Sequence, residues 1–281
     1  MKYKFPVVEI FDSIEGEGKR TGYMSTFIRF AGCNLRCSYC DTAYALSADD
    51  AAAEYTADEL AQIVQSKPWS RVTLTGGEPM LQPLQELTER LCRGGCEINI
   101  ETNGAVLLPS RRPEGLFYTM DWKSPSSGMR EAMKLENLQE RLTPADVVKF
   151  VVATKDDLDD MAYTISHLLP AARPLLYVSP VWGDIEPAAL VDFVKEQGLD
   201  DVCVQVQLHK IIYDPEPEAY NGQRKIKAGG GADPGSRRAG RPRRDEGNAG
   251  AVCQDDGGTA GLRRRFQRRN RQGIRQGVSL R

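Results

Sequence analysis

The chain reads as an α/β protein, a partial (β/α) barrel of about six parallel strands, open on one side and followed by a disordered C-terminal tail. Three observations predict this. Short β-branched runs alternate with helical patterns through most of the 281-residue sequence, the signature of right-handed βαβ units on a parallel sheet. Six or seven such units in roughly 190 residues are too few for a closed eight-stranded barrel of about 250 residues. Composition then changes abruptly near 214–221. From Gly222 to Arg281 there are 16 Lys and Arg against 5 Asp and Glu, 13 of the 26 glycines and a single aromatic residue, Phe266. The net charge of this stretch is +11, against −13 for the rest. A segment so basic and so poor in large apolar side chains cannot bury enough surface to offset the entropy of ordering it. The expected division is therefore a domain over 1–216 and a basic Gly/Arg-rich tail over 217–281.

Strands are expected at 26–30, 71–75, 97–101, 116–121, 147–152, 175–179 and 202–208, with a weaker one at 7–11. Most are near-continuous apolar runs, as in parallel strands covered on both faces. Helices are expected between several of them. Thr56-Ala57-Asp58-Glu59 has the spacing of a capping box, with Leu60, Ile63 and Val64 following on one face. Further helical patterns run over 84–91, 131–141, 156–169 and 187–196, the last with Pro187 at its start and Gly198 just past its end. No apolar run approaches the roughly 20 residues that cross a bilayer, and the first residues carry no secretory pattern. A cytoplasmic chain with mostly reduced cysteines is expected.

The strand at 26–30 ends in Ala31-Gly32, and Cys33-Asn34-Leu35-Arg36-Cys37-Ser38-Tyr39-Cys40 follows. Three cysteines so spaced can wrap one metal centre. On a four-iron cube, three thiolates leave one iron without a protein ligand. That iron can take the amine and carboxylate of S-adenosylmethionine (SAM), and an electron passed into the sulfonium breaks a C–S bond to give a carbon radical. A zinc knuckle is the rival on these residues, although structural zinc wants four ligands and the two histidines, His167 and His209, are distant in sequence. A redox disulfide leaves the third cysteine unexplained. Cys92, Cys96 and Cys203 read as structural thiols, and Cys253 lies in the tail.

The cysteine run followed by Asp41-Thr42, together with Thr75-Gly76-Gly77-Glu78-Pro79, resembles the radical SAM superfamily. More specific pieces are Ile14-Glu15-Gly16-Glu17-Gly18, Glu101-Thr102-Asn103-Gly104, Asp121-Trp122-Lys123-Ser124-Pro125-Ser126-Ser127-Gly128-Met129 and Gln207-Leu208-His209-Lys210. This set resembles the 7-carboxy-7-deazaguanine synthase family over roughly residues 5–214. The resemblance implies a magnesium-dependent homodimer that converts 6-carboxy-5,6,7,8-tetrahydropterin to 7-carboxy-7-deazaguanine with loss of ammonia, for queuosine or another deazapurine. It implies regeneration of SAM at each turnover, with flavodoxin or ferredoxin as electron donor.

Carried over by motif, the resemblance implies that the [4Fe–4S] cluster sits on Cys33, Cys37 and Cys40. Mg²⁺ would lie on Thr42, substrate against Ile14, Glu15, Gly16, Arg29 and Thr75, and SAM against Gly77, Asp121, Lys123 and Ser124. The chemistry of the residues agrees with parts of this. Arg29 offers a rigid donor fork for a carboxylate, unless it is a surface-paired strand residue. Glu101 can accept paired N–H bonds from a pterin ring, or cap a turn. Thr42 supplies a hard oxygen, or merely turns the chain after Asp41. Lys123 can meet a carboxylate or ribose hydroxyl, or serve a structural ion pair. Gln207 and His209 lie at the end of the last expected strand, Gln207 read as a substrate contact and His209 as structural.

The cysteine loop, Gly76 and Gly77, Glu101, the 121–123 stretch, Ser179-Pro180 and the 207–210 stretch each fall at or just past the C-terminal end of an expected strand, so they should share one rim. The family pattern stops after Asp214-Pro215-Glu216. The tail reads as out-of-frame read-through rather than an RNA-binding extension. Two other functions fit the cysteine spacing. One is a glycyl-radical activating enzyme, which the Glu-Gly-Glu-Gly and Pro-Ser-Ser-Gly-Met segments do not favour. The other is a non-catalytic Fe–S or zinc module with an RNA-binding tail.

Overall fold

A computed structural model describes residues 2–213 of the chain. The strands are β1 (Phe5–Ile14), β2 (Met24–Phe30), β3 (Ala53–Tyr55), β4 (Arg71–Gly76), β5 (Glu97–Thr102), β6 (Leu116–Trp122), β7 (Val147–Val152), β8 (Leu175–Pro180) and β9 (Val202–Val204). The helices are α1 (Ala57–Gln65), α2 (Gln85–Arg93), α3 (Lys155–Tyr163), α4 (Pro187–Gln197) and α5 (Leu208–Ile212). All the strands lie in one sheet, in the order β3-β1-β2-β4-β5-β6-β7-β8-β9. From β2 to β9 each strand along that order is parallel to the next. β1 is antiparallel to β2, and β3 to β1. A sheet wound one way that leaves β3 and β9 as edges is an open barrel, as the sequence predicts, with β1 and β3 added at one edge. The segment 217–281, its predicted disorder and its possible RNA contacts lie outside the described residues. Among the described residues no helix is long and apolar enough to cross a membrane.

The expectation that both faces of the strands are covered alike is corrected. Alternation along each strand sends one set of side chains outward, including Ile28, Leu74, Ile98, Met120, Val148 and Val178, all fully buried. They form a single core with Leu60 and Val64 of α1, Leu87 and Leu91 of α2, Leu158 and Met161 of α3, and Leu190 of α4. Each such side chain is worth about 1.5–3 kcal/mol when fully buried. The other set faces the concave side and is largely polar, with Ser25, Thr73, Thr75, Asn99, Glu101, Thr119, Asp121, Lys149 and Ser179 interspersed with a few apolar residues such as Phe27 and Phe117.

Local rules explain most boundaries. The Thr56 hydroxyl accepts from Glu59 N–H at 3.3 Å, and Glu59 accepts from Thr56 N–H at 2.8 Å, closing the predicted capping box. α1 buries Ala57, Leu60, Ala61 and Val64, an i, i+3, i+4, i+7 stripe, with Ile63 at its margin. α4 starts on Pro187 and stops at Gly198, whose φ of 63° is left-handed.

Two expectations fail locally. The stretch 131–141 is not one helix but a 3₁₀ turn (Arg130–Ala132) and a π turn (Asn137–Arg141). The reason is Asn137, which is fully buried; its amide bonds Gly104 O, Val106 O and Leu108 N–H at 3.1, 2.8 and 2.9 Å, supporting a β5-to-β6 crossover that has no helix. The last strand stops at Val204 rather than 208. Gln205 N–H still bonds Val178 O at 3.0 Å, but Leu208 N–H turns to Gly16 O at 3.0 Å, and Gln207 becomes the N-cap of α5.

Candidate active site

The cysteine loop leaves β2 at the C-terminal edge of the parallel strands and is fastened from several sides. Gly32 N–H donates to Ala45 O at 2.9 Å and Cys33 N–H to Leu46 O at 3.0 Å, while Leu35 is buried. Ser38 donates through N–H to Ser127 O at 3.1 Å and through its hydroxyl to Ser126 O at 2.6 Å. Ser126 is held in turn by Asp157, which accepts its N–H at 2.9 Å and its hydroxyl at 2.5 Å from the first turn of α3. The Pro-Ser-Ser-Gly-Met segment is thus a bracket between α3 and the cysteine loop.

The donor set fits a cluster. Burial raises the Cys33 and Cys37 thiols above their ordinary range, and each also lies in the field of Cys40. Among the described residues no three His, Cys, Asp or Glu side chains stand together as they would around one ion. A four-iron cube takes its thiolates on different irons, so its ligands need not converge on a point. Cys33 Sγ accepts from Leu35 N–H at 3.4 Å and faces Asn103 Nδ2 at 3.7 Å, so the Glu-Thr-Asn-Gly motif reaches the cysteine loop through its Asn.

The Gly-Gly-Glu-Pro turn is packed against that loop. A Cβ on Gly77 would lie 2.2 Å from Gly32 O and 2.6 Å from Ala45 O; one on Gly76, whose φ is 124°, would lie 2.3 Å from Phe30 O. The N–H groups of Gly77 and Glu78 bond Phe30 O and Gly32 O at 2.9 and 2.8 Å, so what this edge can offer a ligand's ammonium is carbonyl oxygen. Glu78 is fully buried and accepts from Met80 N–H, Thr102 hydroxyl and Asn103 N–H at 2.9, 2.8 and 2.6 Å. Burial still pushes its carboxyl up to about 6.

Inside the barrel, Arg29, Thr75 and Glu101 come together because β2, β4 and β5 pair with Arg29 opposite Thr75 and Leu74 opposite Ile100. Thr75 donates to Glu101 at 2.9 Å. Burial pushes Glu101 up to about 7; Lys149 pulls the other way, and Glu15 adds to the rise. Arg29 donates to Glu9 at 2.7 Å and lies 5.5 and 5.7 Å from the ring centres of Phe11 and Tyr44. It is a paired strand residue at the edge of the cleft, also in the field of Glu101.

Beyond Glu101 runs a line of alternating charge. Lys123 meets Asp121 at 3.0 Å, Lys149 meets Asp121 at 3.1 Å, and Lys149 meets Glu17 at 2.8 Å. Burial works against both lysines' charge, but the acids around them together outweigh it, Asp121 foremost, with Cys37 and Tyr39 beside Lys123 and Glu17 and Glu101 beside Lys149, so both hold their protons more tightly than usual. Asp121 is correspondingly lowered, its burial overcome by Lys123 and Lys149. Glu17 also accepts from Ser179 and Gln207 at 2.9 and 3.3 Å. Lys149, Glu17 and Ser179 are not among the expected ligand contacts. The signal for Lys149 was a charged residue interrupting Val-Val-Lys-Phe-Val-Val, which must find acids if buried.

The loop after β1 plugs the bottom of the barrel. Arg20 is buried, donating to Glu15 at 2.5 Å, to Thr73 hydroxyl at 3.1 Å and to Glu97 O at 3.1 Å. Thr73 also donates to Glu15. Glu15, expected against substrate, thus spends one carboxylate oxygen on Arg20 and Thr73. Its other oxygen, Oε2, is buried without a protein partner. Ile14 is the last residue of β1. Gly16 lies under α5, where a Cβ would stand 1.8 Å from His209 Nδ1. Burial lowers His209, with Glu17 and Asp41 acting oppositely. Thr42 is partly exposed and donates to Asp41 at 3.0 Å. Ser124 is buried, its hydroxyl given to Val151 O at 3.1 Å, which makes it a fastening of the rim.

Residues 27–116 match the radical SAM superfamily. The crystal structure of QueE from Escherichia coli shares the fold, with a TM-score of 0.61 at 21% identity over 73% of this chain and 95% of that one. An open parallel barrel with three cysteines on the loop after its first parallel strand defines the chain as a radical SAM enzyme, and membership implies a [4Fe–4S] cluster and SAM. Similarity to individual proteins narrows the class. The chain is 42% identical over 219 residues to the 7-carboxy-7-deazaguanine synthase of Clostridium acetobutylicum, covering 76% of this chain and 98% of that protein. It is 39% identical over 211 residues to the one of Methanospirillum hungatei, covering 73% and 84%. The chain belongs to the 7-carboxy-7-deazaguanine synthase family.

Proposed function

We propose that this chain converts 6-carboxy-5,6,7,8-tetrahydropterin to 7-carboxy-7-deazaguanine with loss of ammonia. The observation that carries the reading is the juxtaposition, on one concave face, of the cysteine loop with a charge array ending at Glu101, in a chain that spans 98% of a 7-carboxy-7-deazaguanine synthase. Cys33, Cys37 and Cys40 would hold the cluster, with SAM on its open corner between the Gly77 edge and the Asp121–Lys123 pair. When bound, the two supply the one-electron chemistry that breaks a substrate C–H bond.

The protein's own residues do the positioning. Glu101 faces the cleft with a carboxyl that burial pushes up to about 7, suited to exchange hydrogen bonds with the amide and amine edge of a pterin. Thr75 fixes its orientation from β4. Arg29 stands at the cleft's edge, where a substrate carboxylate would compete with Glu9 for its guanidinium. Gln207 and Glu17 close the far side. Thr42 beside Asp41 offers hard oxygens, and we assign Mg²⁺ to this corner with substrate and water completing its shell. Our reading also includes a homodimer, reduction by flavodoxin or ferredoxin at the exposed side of the cysteine loop, and a cytoplasmic location.

The test is anaerobic incubation of reconstituted protein with carboxytetrahydropterin, SAM, dithionite and Mg²⁺, read by mass spectrometry. Wild type should give the deazaguanine product and ammonia, with a rate that falls on chelating Mg²⁺. Cys37→Ala should give none while keeping its far-UV circular dichroism. Product from that variant would refute the cluster assignment. A wild-type chain that loads iron and cleaves SAM yet leaves the pterin untouched would refute the substrate.

A further inference from the structure

Lys149 sits mid-strand on β7, 7% exposed, with no role in the sequence motifs. Its ammonium has three N–H donors. One meets Glu17 Oε2 at 2.8 Å and one Asp121 Oδ1 at 3.1 Å, with Glu101 also in its field. Glu17 gathers Ser179 and Gln207 on one side. Asp121 gathers Lys123, whose field reaches Cys37, on the other. One cation thus ties together groups from the β1 loop, β6, β8 and the α5 cap. A buried ion pair is weak evidence for stability, since an apolar residue of similar volume often serves as well. The neighbours Val148 and Phe150 show that this strand readily buries apolar side chains. What the charge adds is geometry.

We propose that Lys149 is a positioning residue that sets the spacing of the Glu17 and Asp121 carboxylates and so couples the pterin side of the cleft to the SAM side. The inference rests on the function proposed above. Glu101 and His209 also lie in the field of Lys149, and Lys123 shares Asp121 with it.

Full-length, cluster-reconstituted protein is titrated anaerobically by calorimetry with SAM and with carboxytetrahydropterin, each alone and in the presence of the other. In wild type each ligand should tighten the other. K149M should weaken that mutual effect by about tenfold, more than it weakens either ligand alone, and K149R should recover most of it. If K149M does not fold, K149M/E17Q, which also neutralises the orphaned acid, replaces it with the same expectation. Equal coupling in wild type and the Met variant, whatever the change in melting temperature, overturns the proposal, as does a wild type that binds both ligands independently. If wild type binds no pterin at all, the substrate assignment fails instead. The Lys149 inference is then read from SAM alone, whose affinity must fall in K149M and return in K149R; an unchanged SAM affinity overturns it.

Discussion

The two faces of the sheet obey opposite rules. On the outer face Ile98, Val148 and Phe150 are wholly buried against helices, and each added contact stabilises the fold. On the inner face Thr73, Asn99 and Lys149 are nearly as buried, yet they are polar and held by Ser25, Thr119 and Asp121 from neighbouring strands. Hydrophobic transfer favours burial on the first face and opposes it on the second. One strand carries both rules in successive residues, so Lys149 and Phe150 divide function from stability within one peptide unit.

Phe150→Ala should have the largest effect on the fold, costing about 3–5 kcal/mol for a large aromatic removed from a full core. Urea unfolding measures it, and the folded fraction should still bind SAM. On the inner face, Glu101→Gln should act in the opposite direction. An acid raised from 4.5 to about 7 by burial contributes its stability fully below its unfolded value and loses it as pH rises through about 7. Each tenfold change in proton affinity is worth about 1.4 kcal/mol. The variant should therefore gain on the order of a few kcal/mol over wild type between pH 5 and pH 8 while losing turnover. Denaturant midpoints equal at both pH values would contradict the inner-face rule. Gly77→Ala tests the seam between the turn and the cysteine loop. Its Cβ would meet backbone oxygen at 2.2 Å, so a loss of about 1–3 kcal/mol and poor iron loading are expected, read by iron and sulfide analysis. Thr56→Ala breaks the capping box of α1, remote from the cleft, and should cost about 1 kcal/mol with turnover unchanged.

The outer face was legible because its periodicity is the signal that sequence reading detects. The α1 stripe, the Pro187 start and the Gly198 stop all appear where residue chemistry puts them. The inner face was hidden by the same rule. Thr-Leu-Thr and Ile-Asn-Ile pass for apolar strand until one knows that only alternate residues meet the helices. The cysteines and the paired glycines were legible as local spacing. Lys149 was not, because its partners lie 132 residues before it and 28 before it in sequence. The end of β9 was missed for the same reason. Nothing local to Gln205 says that Leu208 will leave the sheet to bond Gly16.

That last contact has a consequence for how the protein is made. Gly18 N–H reaches Gln205 across 187 residues of sequence, and His209 rests on Gly16. On the ribosome the early loop must therefore wait through nearly the whole described chain for the segment that walls it in. A nascent chain released before Gln205 would own most of the sheet and its greasy exterior but not a finished chamber, so catalytic competence must wait for the last described segment to emerge.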